Sequence, residues 1–242
     1  MQAVVFGEDR FLFGAFHPAT GQPKRHAVLF VGPLLNESMR SHSALRAMAL
    51  AVSANGYDVL RFDYSGMGNS GGDLSKLALA DWNEDTQLAA KEILRLSGAS
   101  QLSCVATRFG AHFATRLSQA MPVSHAAFWD PVFVGRQWHE RLNLAQQSAD
   151  RKSATPEKRE ASEFLGHVMS PDFASSLDDA QTSVLNVSSC FVGLTNDACE
   201  IAGQEIPADD ISRFDFDCGW EDMSSQVLYP HELIQAVGEQ FK

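Results

Sequence analysis

The 242-residue sequence has no apolar run approaching the roughly 18–20 residues needed to cross a bilayer. Its start, "MQAVVFGEDRFLF", lacks the basic opening and long apolar core of a signal peptide. Cysteine is sparse, and Cys104, Cys190, Cys199 and Cys218 form no CxxC pair and show no metal-ligand spacing. No metal centre is therefore expected, and all four are read as reduced thiols in a cytoplasmic protein. Basic residues are also short: 19 Lys and Arg against 30 Asp and Glu leave a formal net charge of -11. Phosphate-rich surfaces are repelled by such a field, which argues against nucleic acid or an anionic membrane as partner. No internal repeat or low-complexity tract is present. What remains is an ordinary globular composition, 45% apolar and 20% charged, long enough for a large core.

Periodicity orders the chain. "AVVFGEDRFLFGAFHPA" reads as an antiparallel hairpin around a Gly-Glu-Asp turn, and "HAVLFVGP" as a buried strand ending at Gly32-Pro33. "SHSALRAMALAVSANG" puts Leu45, Met48, Ala49 and Val52 on one helical face before a stop at Gly56. Strand "YDVLRFDY" leads into the glycine-rich turn "SGMGNSGG", and a helix is predicted from Asp73 to Leu96. Strand "LSCVAT", helix "GAHFATRLSQA" and strand "HAAFWDP" follow. Residues 135 to 180 are polar, helix-like and without a clear strand; strands return at "SSCFVGL" and "ISRFDFD", and "PHELIQAVGEQF" closes as an amphipathic helix. Strands alternating with helices predict an α/β protein with a mostly parallel sheet and helices on both faces. The break in alternation predicts one domain over 1–242, with a small helical cap inserted at about 135–180.

This order resembles the α/β-hydrolase fold along nearly the whole chain, which implies eight strands. The stretch "VLFVGPLLNESMRSHSALRAMALAVSANGYDVLRFDYSGMGNSGGD" is similar to the front half of serine-aminopeptidase-like and esterase-like hydrolases. It is particularly similar to the exosortase-A-system-associated hydrolases, and "FWDPVFVG" adds to that similarity. The glycines of "FDYSGMGNSGG" suit a sharp turn; no Lys-Ser/Thr follows, so this is not a phosphate loop.

In such hydrolases a nucleophilic serine sits in a strained strand-to-helix turn flanked by small residues. Here the frame is Ala106-Thr107-Arg108-Phe109-Gly110. The small flanks keep the geometry plausible, but a guanidinium is protonated at physiological pH and cannot attack a carbonyl. The resemblance places the oxyanion loop at "GPLLNESMR", where Pro33 has no N–H and Leu34 offers the remaining backbone donor. Glu37 and Arg40, three apart, either pair locally or project into the cleft. The catalytic acid falls at Asn196, with Asp197 one residue late, and the base position holds Trp220. His231 lies eleven residues further on, at a helix start, and reads as structural; His112 reads as packing.

Arg108 in a partly desolvated cleft needs compensation. Asp130, ending the adjacent strand, is the first candidate partner and Glu37 the second. Alternatively Arg108 is an anion site for a small carboxylate, phosphate or acyl ligand, with Leu34, Glu37, Arg40, Phe109 and Asp130 around it. Three function classes follow. The first is a degenerate hydrolase that binds an acidic or acylated ligand. The second is a hydrolase or acyltransferase using unusual residues. The third is a non-catalytic interaction protein of an exosortase-type system. No cofactor is implied, and the sequence leaves the oligomeric state open.

Overall fold

The chain opens with the expected hairpin, β1 (Gln2–Phe6) and β2 (Leu12–His17), joined by a 3-10 turn at Glu8–Arg10. The computed structural model describes residues 1–152, 163–180, 184–195, 201, 204–220 and 226–242. Strands β3 (His26–Val31), β4 (Asp58–Phe62), β5 (Gln101–Thr107) and β6 (Val123–Trp129) follow, with β9 (Val187–Leu194) and β10 (Ile211–Arg213) later in the chain. The main sheet has the order β1-β2-β4-β3-β5-β6-β9-β10. Pairing is parallel from β4 to β10 and antiparallel for β1–β2 and β2–β4. This is the eight-stranded, mostly parallel sheet expected.

Helices α1 (Leu35–Ala54), α2 (Leu79–Ser97) and α3 (Gly110–Ala120) carry the crossovers, and α6 (His231–Glu239) closes the chain. Central strands buried on both faces read as unbroken apolar runs, and in β3 every residue from Ala27 to Val31 is buried. Successive residues of β6 enter opposite cores. Phe128 joins the layer under α2 and α3, and Trp129 the layer under α1 and α6.

Three boundaries differ from the sequence reading. Helix α1 starts at Leu35 rather than near Ser41, so Glu37 and Arg40 are helical residues and the oxyanion loop is shorter than expected. Residues 74–76 form a separate 3-10 turn, with Asp73 Oδ1 accepting from the Ser75 N–H at 3.1 Å, and α2 begins only at Leu79. The strand expected through Asp217 ends at Arg213.

The 135–180 segment holds α4 (Gly135–Lys152), α5 (Phe173–Asp178) and, against the strand-free expectation, a miniature antiparallel pair, β7 (Glu163–Phe164) and β8 (His167–Val168). Trp138, Leu142, Phe164, Phe173 and Leu177 pack into the same buried cluster as sheet residues such as Leu29 and Ala106. That one segment spans the sheet's carboxyl edge and shares its core follows from the i, i+4, i+7 spacing of Trp138, Leu142 and Ala145 on α4. No described helix is long and apolar enough to cross a membrane.

Candidate functional site

The turn from β5 into α3 has the geometry of a nucleophile elbow. Arg108 takes a left-handed backbone conformation, φ 53°, which costs an L-residue roughly 1–3 kcal/mol unless its surroundings enforce it. They do so through three backbone hydrogen bonds. The Arg108 N–H donates to Trp129 O at 3.1 Å, and the Arg108 carbonyl accepts from Ala111 N at 3.1 Å and Val132 N at 3.0 Å. Gly110 lets α3 approach β3: a Cβ there would lie 2.2 Å from Val31 O and 2.6 Å from Gly32 O. Small flanking residues are thus a packing requirement of the turn, whatever side chain stands at its centre.

That central side chain is buried, 1% exposed. Arg108 Nε donates to Glu37 Oε1 at 2.9 Å, and Nη1 approaches the backbone carbonyl of Asp130 at 3.4 Å. The Asp130 carboxylate, the first candidate partner, is engaged elsewhere. Thr195 donates to it twice, from N–H at 2.7 Å and from Oγ1 at 2.5 Å, and Trp220 Nε1 donates at 2.8 Å. Asp130 has φ 43°, and this turn points its carboxylate away from the guanidinium and toward β9. Glu37 reaches Arg108 because α1 begins early enough to carry it over the elbow.

Trp220, which the sequence reading put at the base position, lies beside Arg108. Its indole N–H meets Asp130, as an imidazole N–H would, and its ring lies 4.9 Å from Arg108 Cζ. Asp130, Trp220 and Arg108 therefore stand in a row of acid, ring and central elbow residue. An indole donates from nitrogen but has no lone pair to accept a proton.

Arg40 does not pair with Glu37. Its guanidinium donates to the carbonyls of Cys218 at 2.6 Å and Gly219 at 2.7 Å, pinning the loop that presents Trp220. Phe109 is fully buried and forms part of the packing behind the site, stacked on His112 at 4.9 Å and on Trp138 at 4.8 Å. His112 packs as expected, its Nδ1 3.1 Å from Phe133 O, and burial lowers its pKa. His231 meets Gln235 in the first turns of α6. Asn196 and Asp197, the expected acid positions, lie outside the described residues, as does Cys199. Among the described residues Cys104, Cys190 and Cys218 form no disulfide; burial raises Cys104 to about 12 and Cys190 to about 11, so neither is a thiolate at neutral pH.

Leu34 and Phe109 are the N-caps of α1 and α3. Their N–H groups have no intrahelical acceptor, so two backbone donors stand at these helix starts. The space in front of them is nearly filled. A cavity of about 20 Å³ remains, bounded by Leu34, Glu37, Arg108, Arg141, Leu165 and Trp220. That holds about one water, against the roughly 300–1,000 Å³ of a ligand pocket. Sequence reasoning did not reach Thr195, which orients Asp130, or Trp138, which roofs the elbow. The amphipathic spacing of α4 carried the Trp138 signal; nothing local marked Thr195.

No family model and no curated protein matches the sequence. Solved structures do match its fold. A hydrolase from Agrobacterium vitis S4 superposes with TM-score 0.63 at 16% identity, covering 99% of this chain and 96% of that one. Est1E from Butyrivibrio proteoclasticus, with ferulic acid bound, gives TM-score 0.66 at 12% identity over 98% and 97% of the two chains. Mouse alpha/beta hydrolase domain-containing protein 10 gives TM-score 0.57 at 13% identity over 99% and 96%. With the strand order and the elbow, these place the chain in the α/β-hydrolase fold.

Proposed function

We propose that this protein is a non-hydrolytic bearer of the α/β-hydrolase fold that acts by binding an acidic ligand. The observation that carries the reading is the Trp220 Nε1 to Asp130 contact of 2.8 Å. It occupies the Asp130 carboxylate with a group that cannot receive a proton, beside an elbow whose central residue cannot attack. Loss of the nucleophile alone typically costs a factor of roughly a million in turnover. The retained parts, two helix N-caps and a guanidinium, favour negative charge. Glu37 supplies that charge from within the chain, acting as an internal carboxylate on Arg108. A small ligand carboxylate or phosphate binds by taking its place.

Two measurements test this. Hydrolysis of p-nitrophenyl acetate stays at the uncatalysed rate, and a fluorophosphonate leaves every serine unlabelled; saturable turnover abolished by one serine substitution refutes the proposal. Glu37→Ala opens a carboxylate-sized space and removes the Glu37 charge from the buried guanidinium, lowering stability by about 3 kcal/mol. Acetate or propionate restores its melting temperature where chloride at equal ionic strength does not. Equal rescue by chloride and carboxylate removes the binding half of the reading.

A further inference from the structure

A second cleft lies on the other side of the first turns of α1, with a volume of about 420 Å³. Its floor is the sheet. Ala15 of β2, Arg61 of β4 and Phe30 of β3 are register neighbours, so their side chains stand in one row on the α1 face. The small side chain of Ala15 leaves the space that Arg61 borders. Ser38 and His42, one helical turn apart on α1, form the opposite wall, and Met67 lies on the glycine-rich loop that closes the end.

Arg61 is an unusual residue for this row. Val59, two residues earlier on the same face, is buried in the core. Arg61 is only half-buried, and among the described residues its one hydrogen bond runs from Nε to His17 Nε2 at 3.3 Å. No described carboxylate lies within ion-pair distance of it. The charged and titratable groups that face it are Asp63 at the end of its own strand, His42 and Arg46 from α1, and His17 from β2. Burial, first of all, lowers the Arg61 pKa, and Asp63 offsets this only in part. Burial pushes His17 down to about 4, so it is neutral and holds the guanidinium by accepting from Nε. Its terminal amino groups make no hydrogen bond to a described residue, and Arg61 lines the cleft with the planar fork that suits a carboxylate.

We propose that this cleft binds a monocarboxylate with an apolar body, its carboxylate paired with the Arg61 fork and its body against Phe30, Phe13 and Met67. The volume lies within the range of small-ligand pockets. Asp63 lines the same cleft, with its Oδ2 accepting from the Asn69 N–H at 2.9 Å. It disfavours a dianion and so selects a singly charged group over phosphate. The site is separate from Arg108, with its own cation and walls, and stands whether or not the elbow takes a ligand.

Phenylacetate titrated into the full-length protein, followed by amide chemical shifts, tests this. Saturable shifts are expected at Ala15, Phe30, Ser38 and His42, with inorganic phosphate binding more weakly. Arg61→Gln weakens phenylacetate binding at least about tenfold. Ala15→Leu, which fills the cleft and leaves every charge in place, abolishes it, and so covers the case in which Arg61→Gln fails to fold. The proposal is overturned by shifts centred on Arg108 and Leu165 instead, by phosphate binding as tightly as phenylacetate, by binding that survives both variants, or by no saturable shift up to the solubility limit.

Discussion

The proposed function turns on what the one nitrogen of Trp220 can do. At 4% exposure, and with its N–H on Asp130 Oδ2, it supplies one of three hydrogen bonds to a buried carboxylate. Arg108→Ser alone is expected to leave ester hydrolysis at background, because no described histidine lines the cavity at the elbow to activate the hydroxyl. Turnover from that single variant would show that another residue serves as base. Trp220→Phe keeps most of the packing and removes one donor from Asp130. A hydrogen bond to a charged group contributes about 1.5–3 kcal/mol, so a loss of that size is expected in urea denaturation. A change below experimental error would mean that the two Thr195 contacts suffice.

At the scale of elements, the site depends on how closely two helices approach the sheet. Helix α3 touches β3 through Gly110, and any Cβ there meets backbone oxygen rather than a movable side chain. Gly110→Ala is expected to cost about 1–3 kcal/mol or more and to shift Arg108 away from Glu37, measurable as a lower melting temperature. An unchanged melt would show that α3 can lift without cost. The hairpin is tied to α2 by Arg10, which meets Asp81 and Asp85 at 3.1 Å each and also Glu84. Asp85 is fully buried and also accepts from Ser65 N at 2.8 Å and Ser65 Oγ at 3.0 Å. The antiparallel end of the sheet is therefore anchored to the parallel part by charge as well as by pairing.

For the whole molecule, acid is the sensitive direction. Six of the eight histidines, His17, His26, His42, His112, His125 and His167, have lowered pKa values, and in each case burial is the largest cause. The unfolded chain protonates its histidines near 6.5, whereas the folded His17 resists until about 4. Between those values the unfolded state binds the extra proton, so stability is full above pH 6.5 and falls as pH drops toward 4. His17 alone accounts for about 3 kcal/mol across that window. Denaturation midpoints measured across it should fall with pH, and His17→Gln should flatten the slope. A midpoint independent of pH between 6.5 and 4 would contradict this.

The sequence by itself determined the strand and helix order, because alternation of periods two and 3.6 is written in local residue spacing. It also determined that Arg108 directly follows the strand "LSCVAT" and precedes a helix, since identity needs no geometry. Tertiary structure decided the partners. Glu37 meets Arg108 across 71 positions and Trp220 meets Asp130 across 90; contacts at such separations depend on where helix ends and turns fall. One early helix start put Glu37 over the elbow, and one left-handed residue turned the Asp130 carboxylate toward Thr195. Arg61 shows the same division. Its place in the strand is read directly from "YDVLRFDY", but the open space beside it arises where the small Ala15 of a different strand comes into register.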